Sequence, residues 1–247
     1  MSRLTVLLSS LCLMGCVSGF DRSALREQLS GYRAEAAEES IEKLKARKPR
    51  LKFPCNVAVY LYPDDADSSW SWSSADRAYM ESWGTRLKQE GVVEGMFIIS
   101  DMFTNGKDLP SLRRAAAKYN ADVLLVVKGA TQTQNYVNPG ALANLTLLGG
   151  FVVPGQHCDA MFLLQAGVVD VSSGVVCASL ESEGEARLIK PSFLLKQEDA
   201  IGRAKRHALE KFGPVLSRRM HGLQNLYNTQ MAKVRKVQEV TKEGTKK

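Results

Sequence analysis

Three short apolar runs separated by helical stripes limit this chain to a sheet with helices packed on it. The runs are 56–62 (NVAVYLY), 96–99 (MFII) and 122–128 (DVLLVVK). Strands that are apolar on both faces pair in parallel and lie between helices. The intervening stripes fit that reading. Ala75, Tyr79, Trp83 and Leu87 follow a helix start at Ser73 and Asp76 and end at Gly91. Leu112, Ala115, Ala116 and Tyr119 follow Pro110. A different pattern comes next: 160–171 and 175–180 flank Ser173-Gly174, which reads as an antiparallel hairpin with position 170 facing 177. Finally, Ile201, Ala204, Ala208, Leu209, Phe212, Val215 and Leu216 line one helix face within 197–226, with a kink expected at Gly213-Pro214. The predicted fold is α/β: a single mixed sheet over residues 51–222, parallel strand–helix units followed by a hairpin, with flanking helices.

The N-terminus carries an address. Arg3 supplies a positive start, 4–13 an apolar core, and Leu13-Met14-Gly15-Cys16 a cleavage region, so residues 1–15 read as a signal peptide. The last four resemble the lipobox of bacterial lipoproteins. That resemblance implies cleavage before Cys16, diacylglycerol on its thiol and fatty acid such as palmitate. Val17 rather than Asp then favours the outer membrane, facing the periplasm. Each buried methylene contributes about 0.8 kcal/mol, so the two or three chains of a lipidated cysteine anchor stably. Residues 16–50 read as lipid anchor and partly helical stalk, with Leu25, Leu29, Tyr32 and Ala36 in a stripe and Pro49 at its end.

The net charge of +7 is concentrated late. From Lys196 onward there are 13 basic and 5 acidic residues, and the rest is nearly neutral. Residues 223–247 read as a basic C-terminal tail. In an exported chain the anionic neighbours are lipid headgroups, cell-wall polymer or an acidic protein rather than nucleic acid. A solvated helix surface explains the same charge. Arg218 and Arg219 are candidate partner-binding residues. So are Trp70 and Trp72, which stack on sugars or dock a partner if exposed, or else pack beneath the sheet edge.

Little in the sequence points to catalysis. Of five cysteines, Cys12 leaves with the signal and Cys16 takes lipid. Cys55, Cys158 and Cys177 permit one disulfide and one thiol, or three buried thiols. Cys158 and Cys177 lie far apart along the hairpin, while a Cys55–Cys158 bridge stays open. In His157-Cys158-Asp159, neighbouring strand residues point to opposite faces and do not converge on a metal. His207 and His221 fall on the terminal helix. No catalytic residue, metal or cofactor is assigned. The Gly-rich 137–156 segment reads as a loop partly tucked into the core, or as a membrane-contacting one.

The order of elements, with Ala121-Asp122 leading into a strand and Asp170-Val171-Ser172-Ser173-Gly174 turning a hairpin, resembles the TolB N-terminal domain fold. That fold is shared with CsgG-type secretion lipoproteins and lipoprotein activators of cell-wall synthases. Residues 149–159 (GGFVVPGQHCD) with 168–172 resemble rhombotarget-type lipoproteins, although the end of this chain lacks their apolar span. These resemblances imply a non-catalytic, lipid-anchored envelope protein that binds another envelope component in assembly, secretion or cell-wall work. The alternatives are a homo-oligomeric pore or ring subunit and a thiol-based envelope enzyme.

Overall fold

The computed structural model describes residues 19–30, 41–63, 69–137, 156–191 and 194–244, with the side chains of Leu44, Val137 and 234–244 outside the description. The signal peptide, Cys16 and most of the 137–156 segment lie outside the described residues. In chain order the elements are α1 (Arg22–Ser30), α2 (Ile41–Ala46), β1 (Cys55–Leu61), α3 (Ser74–Gln89), β2 (Val93–Ile98), a 3-10 turn (Asp101–Phe103), α4 (Leu109–Lys118), β3 (Val123–Val137), β4 (Gln156–Asp170), β5 (Val176–Lys190) and α5 (Gln197–Gly244). The sheet order is β2-β1-β3-β4-β5. β1 pairs in parallel with β2 and β3, and β3, β4 and β5 pair antiparallel. This is the mixed α/β sheet the sequence pattern predicts.

Each face of the sheet has its own helices. On the first, Val57, Val59, Leu125, Val127, Phe162 and Leu164 are buried beneath α3 and α5. α5 uses Ile201, Ala204, Ala208, Leu209, Phe212 and Leu216, as the stripe indicates. It comes so close that a Cβ on Gly184 of β5 would lie 2.1 Å from the Ala204 carbonyl oxygen. On α3 the buried stripe is Asp76, Met80, Trp83, Gly84 and Leu87, while Ala75 is exposed. The stripe shifts because Asp76 is not a surface carboxylate. It accepts a hydrogen bond from Lys205 Nζ on α5 at 2.5 Å, with both side chains about nine-tenths buried. On the second face, Leu112, Ala115 and Ala116 of α4 cover Ala58, Tyr60, Leu124 and Val169. Asp108 caps that helix by accepting from the Ser111 N–H.

Four expectations need correction. Residues 22–30 are no stalk: Leu25 and Leu29 of α1 are buried against Ala130, Met161 and Leu163 on the second face. Arg22 pairs with Glu183 and Glu185 at 2.8 and 3.0 Å, and Arg26 with Glu181 at 2.5 Å. The boundary at 222 falls inside α5, one unbroken helix past Pro214. Leu223 packs on the core, Gln224 Nε2 donates to the Gly91 carbonyl, and the Tyr227 ring lies 6.0 Å from Phe53. β3 runs to Val137 rather than stopping at Lys128, because its polar second half pairs with β4 along the whole length. The hairpin register also differs. Val169 faces Val176, Val168 faces Ala178, and a bulge lies between. Asp170 causes this by gathering the N–H and hydroxyl groups of Ser172 and Ser173, which opens a wider loop than a two-residue turn.

Candidate functional site

α1 and α4 cover opposite ends of the second face and leave a groove between them. Its floor is set by the alternation of β3, β4 and β5. Val126, Gly167 and Val169 point into it, and Val176 contributes an apolar wall that is 59% exposed. Leu29 of α1 and Leu109 of α4 close the two ends. The volume is about 530 Å³, within the range of ligand and peptide clefts. A Cβ on Gly167 would meet nothing within 4 Å, so the floor has room at its centre.

The rim is polar. Lys128 Nζ lies 5.4 Å from the Tyr62 ring centroid and donates to the Gln28 carbonyl oxygen at 3.4 Å. Two strands over in the same row, Glu181 accepts from Arg26 and, at 2.8 Å, from Gln165 Nε2. The Arg26 hydrogen bond holds the Glu181 carboxyl below its usual pKa against the opposing effect of burial. An apolar floor bordered at its α1 end by the Lys128–Gln165–Glu181 row suits a mostly apolar segment with few polar groups. It offers no nucleophile–base pair. The apolar pattern of the last strand ends at Leu180, so sequence reasoning misses this site. The signal is present as Glu181, Glu183 and Glu185, three carboxylates at period two that mark one strand face.

The residues singled out from sequence are dispersed. Trp70 is 8% exposed, 4.7 Å from the Phe162 ring and edge-on to Trp72, and Trp72 donates to the Tyr62 carbonyl oxygen. Of the two readings of this pair, the packed one fits: both rings pack beneath the sheet rather than standing free for a partner, and Lys205 lies over them. Arg218 and Arg219 lie on α5, away from the groove. Cys158 sits opposite Leu188 on the buried first face, and Asp159 points the other way to Arg187 and Tyr136. His157 stacks on Tyr136, His207 bonds the Glu185 carbonyl oxygen, and His221 bonds Glu90. Cys55, Cys158 and Cys177 are all free thiols. Burial pushes Cys55 up to about 12 and also raises Cys158 and Cys177. A thiolate nucleophile needs the opposite shift. Among the described residues no cluster of three or more metal-ligating side chains occurs, and no helix is long and apolar enough to cross a membrane.

No family model matches the sequence, and no curated protein matches it. Several solved structures are similar at low identity. The PelC dodecamer from Paraburkholderia phytofirmans is 13% identical over 70% of this chain and 92% of that one, with a TM-score of 0.31. A putative neuraminyllactose-binding hemagglutinin homolog from Helicobacter pylori is 11% identical over 76% and 95%, at 0.41. Lipoprotein GNA1162 from Neisseria meningitidis is 13% identical over 73% and 99%, at 0.32.

Proposed function

We propose that this chain is a non-catalytic, lipid-anchored envelope protein whose groove receives an apolar segment of a partner protein. The groove carries the reading: it has an open apolar floor, a sparse charged row at one end, and an end helix that starts only six residues downstream of Cys16. The lipobox-like ending of the N-terminal segment supports a lipid anchor, and Val17 after Cys16 favours the outer membrane, facing the periplasm. The raised thiol pKa values speak against the thiol-enzyme alternative. The test places a photo-crosslinking residue at Val176 in cells of the native host and adds Gly167→Leu to fill the floor. One discrete crosslinked protein is expected from Val176, lost with Gly167→Leu at unchanged protein level. No crosslink, or one indifferent to Gly167→Leu, would overturn the groove as the binding surface. Mass spectrometry of the Cys16 peptide tests the anchor.

One observation favours self-assembly as a second reading. β5 is an edge strand of 15 residues. In an antiparallel pair, alternate residues turn their backbone groups outward. His207 caps the Glu185 carbonyl, which marks the odd-numbered residues as the outward set. Away from that cap, outward groups that stay unpaired are templates for pairing with another strand. Light scattering in detergent decides: a monomer at micromolar concentration would sink this reading.

A further inference from the structure

The seating of α1 constrains how the molecule meets a bilayer. Phe20 packs on the Ala130–Met161–Leu163 patch, and the Asp21 N–H donates to Gln132 Oε1. From there α1 runs along the strands: Arg22 reaches Glu183 and Glu185, and Arg26 reaches Glu181. The chain therefore arrives from the end where β3 finishes at Val137 and β4 begins at Gln156, the distal end. The opposite, or turn, end is where Val123 pairs with Asp170.

Chain length then limits the geometry. Phe20 is four positions after Cys16, a reach of at most about 14 Å. From Gln132 the strand continues to Val137, about 17 Å toward the distal tip, whereas Val123 lies about 30 Å the other way. An acyl chain on Cys16 thus enters a bilayer beside the distal tip or across the second face. The second face carries the exposed Arg22–Glu183 and Arg26–Glu181 pairs beside α1, which resist dehydration.

The distal end carries one such pair, Arg187–Asp159, but among the described residues it adds exposed apolar side chains that the α1 region lacks. Ile189 and Leu194 are 50% and 59% exposed. Ile189 sits opposite His157, which stacks on Tyr136 at 4.8 Å. Lys196 is exposed nearby, and Lys190 pairs with Asp199. Aliphatic, aromatic and lysine side chains together suit the headgroup layer of a membrane. α5 begins at this end, where Gln197 Nε2 donates to Thr133 Oγ1, and reaches the turn end at Tyr227, beside Phe53.

We infer that the distal end of the sheet rests on the lipid surface to which Cys16 is tethered, holding the β4–β5 turn and the C-terminal half of α5 away from it. The inference rests on the lipid-anchor reading above. The test uses full-length, acylated protein carrying Cys177→Ser and one introduced cysteine: Ile189→Cys, Leu194→Cys, Ser173→Cys or Lys233→Cys. Cys55 and Cys158 are buried and escape labelling. Each variant is labelled with bimane and reconstituted into phosphatidylethanolamine–phosphatidylglycerol vesicles containing spin-labelled phospholipid. Labels at 189 and 194 are expected to be quenched several-fold more than those at 173 and 233. Equal quenching, or stronger quenching at 173 or 233, in protein that floats with the vesicles would overturn the orientation alone. Protein that does not float, with an unmodified Cys16 peptide, would overturn the anchor and the orientation with it.

Discussion

Asp170 shows how one side chain decides a loop. It is only 1% exposed, and burial works against its charge. The Arg50 N–H, with Ser173 and Ser172, outweighs that cost and holds its carboxyl below the usual value. Replacing it with alanine leaves several donors unsatisfied, and Asp170→Ala should cost about 2–4 kcal/mol in urea unfolding. Because its folded pKa is lowered, Asp170 adds stability above its unfolded value near pH 3.9, which is lost as pH falls through the lower folded value. A stability–pH curve of Asp170→Asn should lack that part of the acid decline; an unchanged curve would assign it elsewhere. Lys205 is the second residue of this kind. Lys205→Met would strand the Asp76 carboxylate in the core, at about 3–5 kcal/mol. Adding Asp76→Leu should recover part of the loss, which a double-mutant cycle measures. The turn role of Asp170 is legible in the sequence, since Asp before Ser-Ser-Gly favours a turn. The Asp76–Lys205 pair is not, because its members are 129 positions apart and each alone reads as a surface charge.

At the level of elements, α1 is the most informative. Leu25 and Leu29 announce that one face of the segment needs cover. They do not say what covers it, so a stalk and a docked helix fit the same stripe. The two contributions to docking differ in size. Exposed ion pairs are weakened by solvent and salt, whereas burying a leucine contributes about 1.5–3 kcal/mol. Leu25→Ala with Leu29→Ala should therefore release α1, seen as faster amide exchange over residues 22–30 and new protease cuts there. Arg22→Ala with Arg26→Ala should loosen it less, and more at low salt than at high. Equal effects from both pairs would contradict this ranking. The other elements are readable where their signal is local, as with α4 and the apolar parts of β1 and β3. The polar half of β3, TQTQNY, is not: it is a strand only because β4 supplies hydrogen-bond partners along it.

For the molecule as a whole, the sheet class follows from the order of local patterns. The antiparallel β3–β4 pairing does not, since it depends on where an 18-residue connection returns. The α5 extension gives a whole-molecule prediction. Residues 228–233 are exposed, and the last described packing contact is Tyr227 on Phe53. Truncation after Asn228 should change unfolding free energy by no more than about 0.5 kcal/mol, while far-UV dichroism loses helix. A larger loss would reveal packing of the extension against the domain.

Pro214 interrupts α5 chemically without breaking it. Proline has no N–H to offer the Glu210 carbonyl, so an isolated helix would give way there. Trp83 of α3 occupies that point: a Cβ on Gly213 would fall 1.8 Å from its indole Cε2. The indole thus works as a splint at the weakest joint of a rod about 70 Å long. A bend of α5 at this point toward α3 would therefore have to displace the Trp83 indole from its place against Gly213.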